Sequence, residues 1–268
     1  MNTERLKPES TQIPTTAGAP WWRILTAWTR QETTLLMREP MAVFFSMLFP
    51  VIMYVFIGIP YGSTDIGNGR RYIDTMFSAL IISVMANLLL MGLPIYLAEL
   101  RTKGVARRYA SLPLPGGIFL SAVLLSTITL VITASAIIIT VVAIRDGVLP
   151  QLWDPRYLTL VLGSLIWLSA MGFFIGTLPI SSRTTQALSA VVFFTMFFGS
   201  GAAVPLEGLP EILQRVMDWN PLKQWLDVMV NSYIGAQTTT TQYLRLLAAI
   251  PLTILCAYLG QRMWKTQR

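Results

Sequence analysis

Residues 99–115 read ELRTKGVARRYASLPLP, the most basic run in a chain made mostly of apolar segments. Arg101, Lys103, Arg107 and Arg108 stand between two long uncharged stretches, residues 75–98 and 116–144. About 20 apolar residues suffice for a helix to cross a bilayer, so each neighbour is long enough to be a span. A short charged segment between two spans has to project into water, and an excess of Lys and Arg places it on the cytoplasmic side. The fold class expected from this stretch is therefore an all-α polytopic membrane protein whose basic loop faces the cytosol.

Working outward, the composition agrees. The chain has 268 residues, 54% hydrophobic and 12% charged, whereas soluble domains carry about 25% charged residues. The net charge of +7 does not point to nucleic acid, because the basic residues gather on one side of the expected membrane. Anionic lipid head groups and a partner protein are the expected counter-charges. The single cysteine, Cys256, lies in an apolar run and the chain has no histidine. That excludes a disulfide framework and a metal quartet, and it removes the commonest general base and pH switch.

Six spans follow from the apolar runs, residues 41–60, 75–98, 116–144, 157–179, 186–206 and 243–261, the last with the shortest uncharged core and with Arg245 expected to snorkel to the outer surface. Residues 1–20 are polar, rich in Thr and Pro, and expected to be a disordered cytosolic tail. In residues 21–38, Trp21, Ile24, Leu25, Trp28, Leu35 and Leu36 fall largely on one helical face. This predicts an N-terminal amphipathic helix lying in the inner interface, with a plain juxtamembrane linker as the alternative. Residues 207–241 are too charged to span. Pro210 sits where a helix can begin, and Asn220-Pro221 opens a second stripe of Leu222, Trp225, Leu226, Met229, Val230 and Tyr233. Two short amphipathic helices are expected there, lying in the outer interface or dipping back into the protein. Gly163, Gly172 and Gly176 are expected where helices pack closely.

Charge counting orients the chain. With both termini cytoplasmic, 13 of the 20 Lys and Arg and 5 of the 13 Asp and Glu fall inside, a balance of about +8 against about −1 outside. This satisfies the positive-inside rule and places the chain in the cytoplasmic membrane.

The apolar cores contain no Asp, Glu, Lys or Arg. Ion-coupled transporters need ionisable groups at depth, and intramembrane hydrolases need a base beside a nucleophile. No G-x-x-x-x-G-K-[ST] phosphate loop is present. With no catalytic site and no energy-coupling chemistry of its own, the chain fits a permease driven by a separate engine.

Two motifs sharpen this. The acid, the Lys-Gly pair and the R-R-x-x-x-L-P-L-P run of residues 99–115 resemble the first cytosolic loop of type-2 ATP-binding-cassette (ABC) exporter permeases. The matching residues are Glu99, Arg101, Lys103, Gly104, Arg107, Arg108, Leu112, Pro113, Leu114 and Pro115. Residues 205–227, PLEGLPEILQRVMDWNPLKQWLD, resemble the family's P-L-x-x-L-P…N-P-L segment through Pro205, Leu209, Pro210, Asn220 and Pro221. The branch most resembled is that of drug- and antibiotic-resistance permeases such as daunorubicin exporters. The chain departs from the pattern at Val105, where many members have Thr, and at Arg107, where an acid is common.

The resemblance implies a pair of permease subunits, alike or different, above two cytosolic ATPase subunits. ATP and Mg would bind on those ATPases and no cofactor on this chain. The amphipathic helix and the 99–115 loop would seat in the ATPases. The second and fifth spans would line the pathway, which points to Ser83, Met85, Asn87, Met91, Thr195, Phe197 and Phe198; helix packing or lipid contact is the alternative for each. The cargo expected is an amphipathic or hydrophobic drug, antibiotic or lipid-like compound. The rivals are a lipid-linked polysaccharide moved by the same fold, a lipid-modifying membrane enzyme, and a non-transporting scaffold or immunity protein. The enzyme would need a His, Asp or Glu cluster near the interface, which the sequence does not offer.

Overall fold

The computed structural model describes residues 20–38, 48–65, 67, 69–105, 117–202 and 210–266. Nine helices carry the described architecture. They are α1 (Trp21–Met37), α2 (Leu48–Tyr61), α3 (Tyr72–Thr102), α4 (Ile118–Arg145), α5 (Pro155–Thr177), α6 (Ser182–Phe198), α7 (Glu211–Met217), α8 (Pro221–Tyr233) and α9 (Thr240–Thr266). Extended pairing among the described residues is confined to an isolated bridge between Asp65 and Arg71.

Four helices, α3, α4, α5 and α9, are long and apolar enough to cross a membrane. α2 is shorter over its described part, and α6 has 17 residues. The expected fifth span, 186–206, is thus shifted. Ser181 caps the helix by accepting from the Thr184 amide at 3.1 Å, which starts it earlier. The run Gly199-Ser200-Gly201, with Gly201 at φ +81°, turns the chain out of it at the other end.

α3 is the hub. It packs against α4, α5, α6 and α8, and 83% of its most apolar stretch is buried, against 22–39% for the other three long helices. A helix that is apolar on every side has no preferred solvent face and suits a central place. In lipid, helices associate through close packing rather than hydrophobic transfer, and the contacts of α3 are of that kind. Phe77 stacks on Tyr233 of α8 with centroids 4.5 Å apart. The three glycines expected at close contacts are at them. An ideal Cβ on Gly172 would lie 1.8 Å from the Leu89 carbonyl oxygen, and one on Gly176 would lie 2.9 Å from Pro94 Cα.

Two π-helical turns interrupt the ladder, Tyr54–Gly58 in α2 and Asn87–Gly92 in α3. Each ends two residues before a proline, Pro60 or Pro94. Proline lacks an N–H and crowds the carbonyl four residues earlier. Slipping to i→i+5 bonds just ahead of it re-satisfies part of the ladder.

α8 lays Leu222, Trp225, Leu226, Met229 and Tyr233 into the protein, against α3, α5 and α9. Of the stripe read from the sequence Val230 is only half-buried, and Val228, outside the stripe, is buried as well. α7 has no buried residue.

Candidate functional site

The functional residues expected from the sequence divide between the two ends of the bundle. One end, the loop end, gathers α1, the last turns of α3, the 178–182 turn and the close of α9. The aromatic series Trp28–Phe119–Trp264, with centroid separations of 6.0 and 6.5 Å, ties α1 to the start of α4 and the end of α9.

At this end α3 runs on to Thr102 and stops on Gly104, whose φ of +68° is left-handed. The Lys103 amide donates to the Glu99 carbonyl at 2.9 Å and the Gly104 amide to the Arg101 carbonyl at 3.1 Å, closing the helix. An L-residue with a Cβ is penalised in that conformation, which is why glycine commonly ends helices this way. Glu99 and Lys103 form an exposed i,i+4 ion pair at 3.0 Å, a contact of small energetic weight. Arg101 has a different place: its guanidinium donates to the carbonyls of Leu178 and Ile180, in the turn between α5 and α6. It therefore ties the end of the hub helix to the next hairpin. Arg107, Arg108, Leu112 and Pro113 lie outside the described residues, as do Pro205 and Leu209.

The loop end also holds a residue that the sequence reading passed over. The packed face of α1 runs through Ile24, Trp28, Glu32 and Leu36, four residues at i+4 spacing, and Glu32 is only 1% exposed. The Tyr96 hydroxyl, near the end of α3, donates to Glu32 Oε2. Burial pushes the Glu32 carboxyl above the ordinary range, and the tyrosine bond partly offsets this. The face expected to be apolar is thus centred on a carboxylate. Its spacing from Trp28 and Leu36 was the available signal.

The opposite end is built from the 61–72 connection, the 145–155 connection and α7 to α9. Tyr54 of α2 donates to Asp146 Oδ2. Arg71 donates to the Asp146 carbonyl at 2.7 Å and pairs with Asp74 at 2.9 Å, and the Leu149 amide donates to the Tyr233 hydroxyl at 2.9 Å. Pro210 precedes α7. Asn220 caps α8 by accepting from the Leu222 amide at 2.9 Å, while its Nδ2 donates to the Met196 carbonyl at 2.7 Å. With Pro221 in the first turn of α8, Asn220 fixes α8 to the end of α6.

The residues picked out for a pathway separate by exposure. Ser83, Met85 and Phe197 are buried inside the protomer, and Ser83 donates to the Ala79 carbonyl. Asn87 and Met91 are half-buried, and Thr195 and Phe198 are exposed. Ser83, Met85 and Phe197 therefore pack helices here, and only the other four reach the surface of the chain. Among the described residues no cluster of three or more His, Cys, Asp or Glu could hold a metal ion.

A basic stretch of sequence after a buried hub helix, a packed helix preceding the first apolar run, and two short helices before the last run, the second capped by Asn220, are the features expected of a permease. Comparison with known proteins agrees. Over 193 residues the chain is 27% identical to "Putative transport permease YvfS" of Bacillus subtilis (strain 168), covering 71% of this chain and 77% of that protein. Residues 23–234 match the family described as ABC-2 type transporter, and the chain belongs to that family.

Proposed function

We propose that this membrane-embedded transporter permease exports an amphipathic or hydrophobic compound across the cytoplasmic membrane, driven by separate ABC ATPase subunits. In this reading α2 to α6 and α9 are the six spans, and both termini lie in the cytoplasm with the loop end. Two permease subunits, identical or different, pair above two ATPases that bind ATP and Mg. Residues 99–115 seat in the ATPase, with α1 beside them, and Asn87, Met91, Thr195 and Phe198 face the pathway between the paired subunits. Resistance to a drug or antibiotic is the physiological role that fits.

One observation carries the reading. Of the four long apolar helices among the described residues, the most enclosed is the one followed by the basic loop. Force applied at residues 99–115 enters the helix that contacts α4, α5, α6 and α8. A ligand moves an equilibrium only through different affinity for its two states, so the ATPases must hold this loop differently when open and closed.

The test is co-purification with a cassette ATPase encoded beside the chain, then ATP hydrolysis by the reconstituted pair against a panel of amphipathic compounds. Stimulation by some of them, lost on substituting Gly104 and Arg107, is the expected result. If no ATPase co-purifies, or if both substitutions leave stimulated hydrolysis unchanged, the reading fails.

A further inference from the structure

At the end opposite the basic loop, α3, α7, α8, α9 and the turn after α6 enclose a cavity of about 470 Å³, within the range of small-molecule sites. Its lining mixes the apolar side chains of Met76, Ala79, Leu226 and Val230 with polar ones such as Thr75, Gln214 and Asn231. It also carries Lys223 between two aspartates. Lys223 Nζ lies 3.1 Å from Asp218 Oδ1 and 2.9 Å from Asp227 Oδ2. Lys223 is largely enclosed, with 20% of its side chain exposed, while Asp218 and Asp227 keep 48% and 38%. The site thus offers two carboxylates to one ammonium, and Asp218 Oδ2 and Asp227 Oδ1 remain able to accept further hydrogens. Arg245 affects Asp227 only as a more distant charge.

We infer that this cavity binds a primary amine attached to an apolar chain, with the ammonium between Asp218 and Asp227 and the chain against Met76, Ala79, Leu226 and Val230. The charge count selects the sign. A second ammonium brings the three charged side chains to balance, whereas an anion would meet two carboxylates before it met Lys223. Charge-assisted bonds to carboxylates are the stronger kind, and the half-enclosed site screens them less than bulk water does. Burial pushes the Asp227 carboxyl up, opposed by Lys223. A short alkylamine uses both the carboxylates and the apolar lining side chains, and neither a bare metal ion nor a sugar uses the latter. Binding stands on the cavity alone; its consequence for transport rests on the exporter reading.

The experiment uses the full-length purified protein in nanodiscs, with its ATPase where the two co-purify. Radiolabelled n-octylamine is titrated and its saturable binding read by scintillation proximity, with n-octanol and octanoate as competitors. Saturable binding is expected, displaced by unlabelled octylamine and not by octanol or octanoate. Asp227→Asn is expected to weaken it tenfold or more. Asp218→Asn, on a more exposed side chain, gives the same direction if Asp227→Asn fails to fold. Lys223→Met is expected to tighten amine binding several-fold, because it frees both carboxylates. Absence of saturable binding, equal binding by wild type and both Asp variants, or displacement by octanoate overturns the inference. If octylamine binds as expected but does not stimulate ATP hydrolysis, the amine site stands and export of such amines is refuted.

Discussion

Gly172→Ala tests the central packing of the fold. The added Cβ would sit 1.8 Å from the Leu89 carbonyl oxygen and 2.9 Å from its carbon. A comfortable carbon–oxygen contact is about 3.3 Å or more, so α5 and α3 must part by roughly 1.5 Å. Both atoms belong to backbone, and Leu89 lies in the buried π turn of α3, so no side-chain rotation relieves the clash. A gap of 0.5–1 Å forfeits a quarter to a half of each atom pair's ~0.1–0.2 kcal/mol of dispersion. Losing half of that over roughly 30 atom pairs around Leu89, Leu93 and Leu97 costs about 2 kcal/mol, within the 1–3 kcal/mol usual for overpacking. Gly163→Ala supplies the contrast. Its Cβ would meet Trp225 at 2.7 Å, but at the far end of the indole ring, which can swing away. The assay is the melting temperature of the detergent-solubilised protein. At about 2–4 °C per kcal/mol, Gly172→Ala should lower Tm by roughly 4–8 °C, and Gly163→Ala by less than half of that. Equal shifts in the two variants, or an unshifted Gly172→Ala, would refute the packing argument.

Other substitutions probe the two ends. The folded pKa of Glu32 is raised by burial, so its contribution to stability is fully present below about pH 4.3 and lost as pH rises through the raised value. Glu32→Gln should therefore match or exceed wild-type stability at pH 7.5 and flatten the fall of Tm as pH rises above about 4.3, while Tyr96→Phe, which removes the donor, should lower Tm at pH 7.5 by the equivalent of about 1–3 kcal/mol. Gly104→Ala places a Cβ at φ +68° with nothing among the described residues within 4 Å, so the cost of about 1–2 kcal/mol expected from its backbone is conformational. Reduced substrate-stimulated ATP hydrolysis is expected, with Gly104→Asn milder because Asn tolerates that region; equal loss in both would point to a lost contact instead. Asn220→Ala gives up a helix cap and the bond to the Met196 carbonyl, about 1–2 kcal/mol in Tm, and Asn220→Ser should recover the cap's share alone.

What the sequence could reveal depended on whether a residue's surroundings are set by its own helix or by another. The apolar runs located the long helices, and the bounds of α1 and five of the six stripe residues of α8 lie where their periodicity suggested, because one face differs in chemistry from the other. α3 has no such difference, and its central place became visible only from its neighbours. Ser83, Met85 and Phe197 looked suited to a pathway by type, yet they face other helices of the same chain. Glu32 and Lys223 were passed over for a related reason: each resembles ordinary surface charge until Tyr96, or Asp218 and Asp227, arrive from a distant segment or an adjacent turn. The same tertiary ties bear on how the loop could act. α3 is held at one end by Arg71 on Asp146 and at the other by Arg101 on the 178–180 turn. A rod fixed at both ends and packed along its length passes on displacement unless it yields where its ladder is irregular. In α3 that place is Asn87–Gly92, where Leu89 already presses against Gly172. If the loop drives the protein as proposed, strength at that contact and transmission from the loop are coupled, and a variant that opens the contact should lose both together.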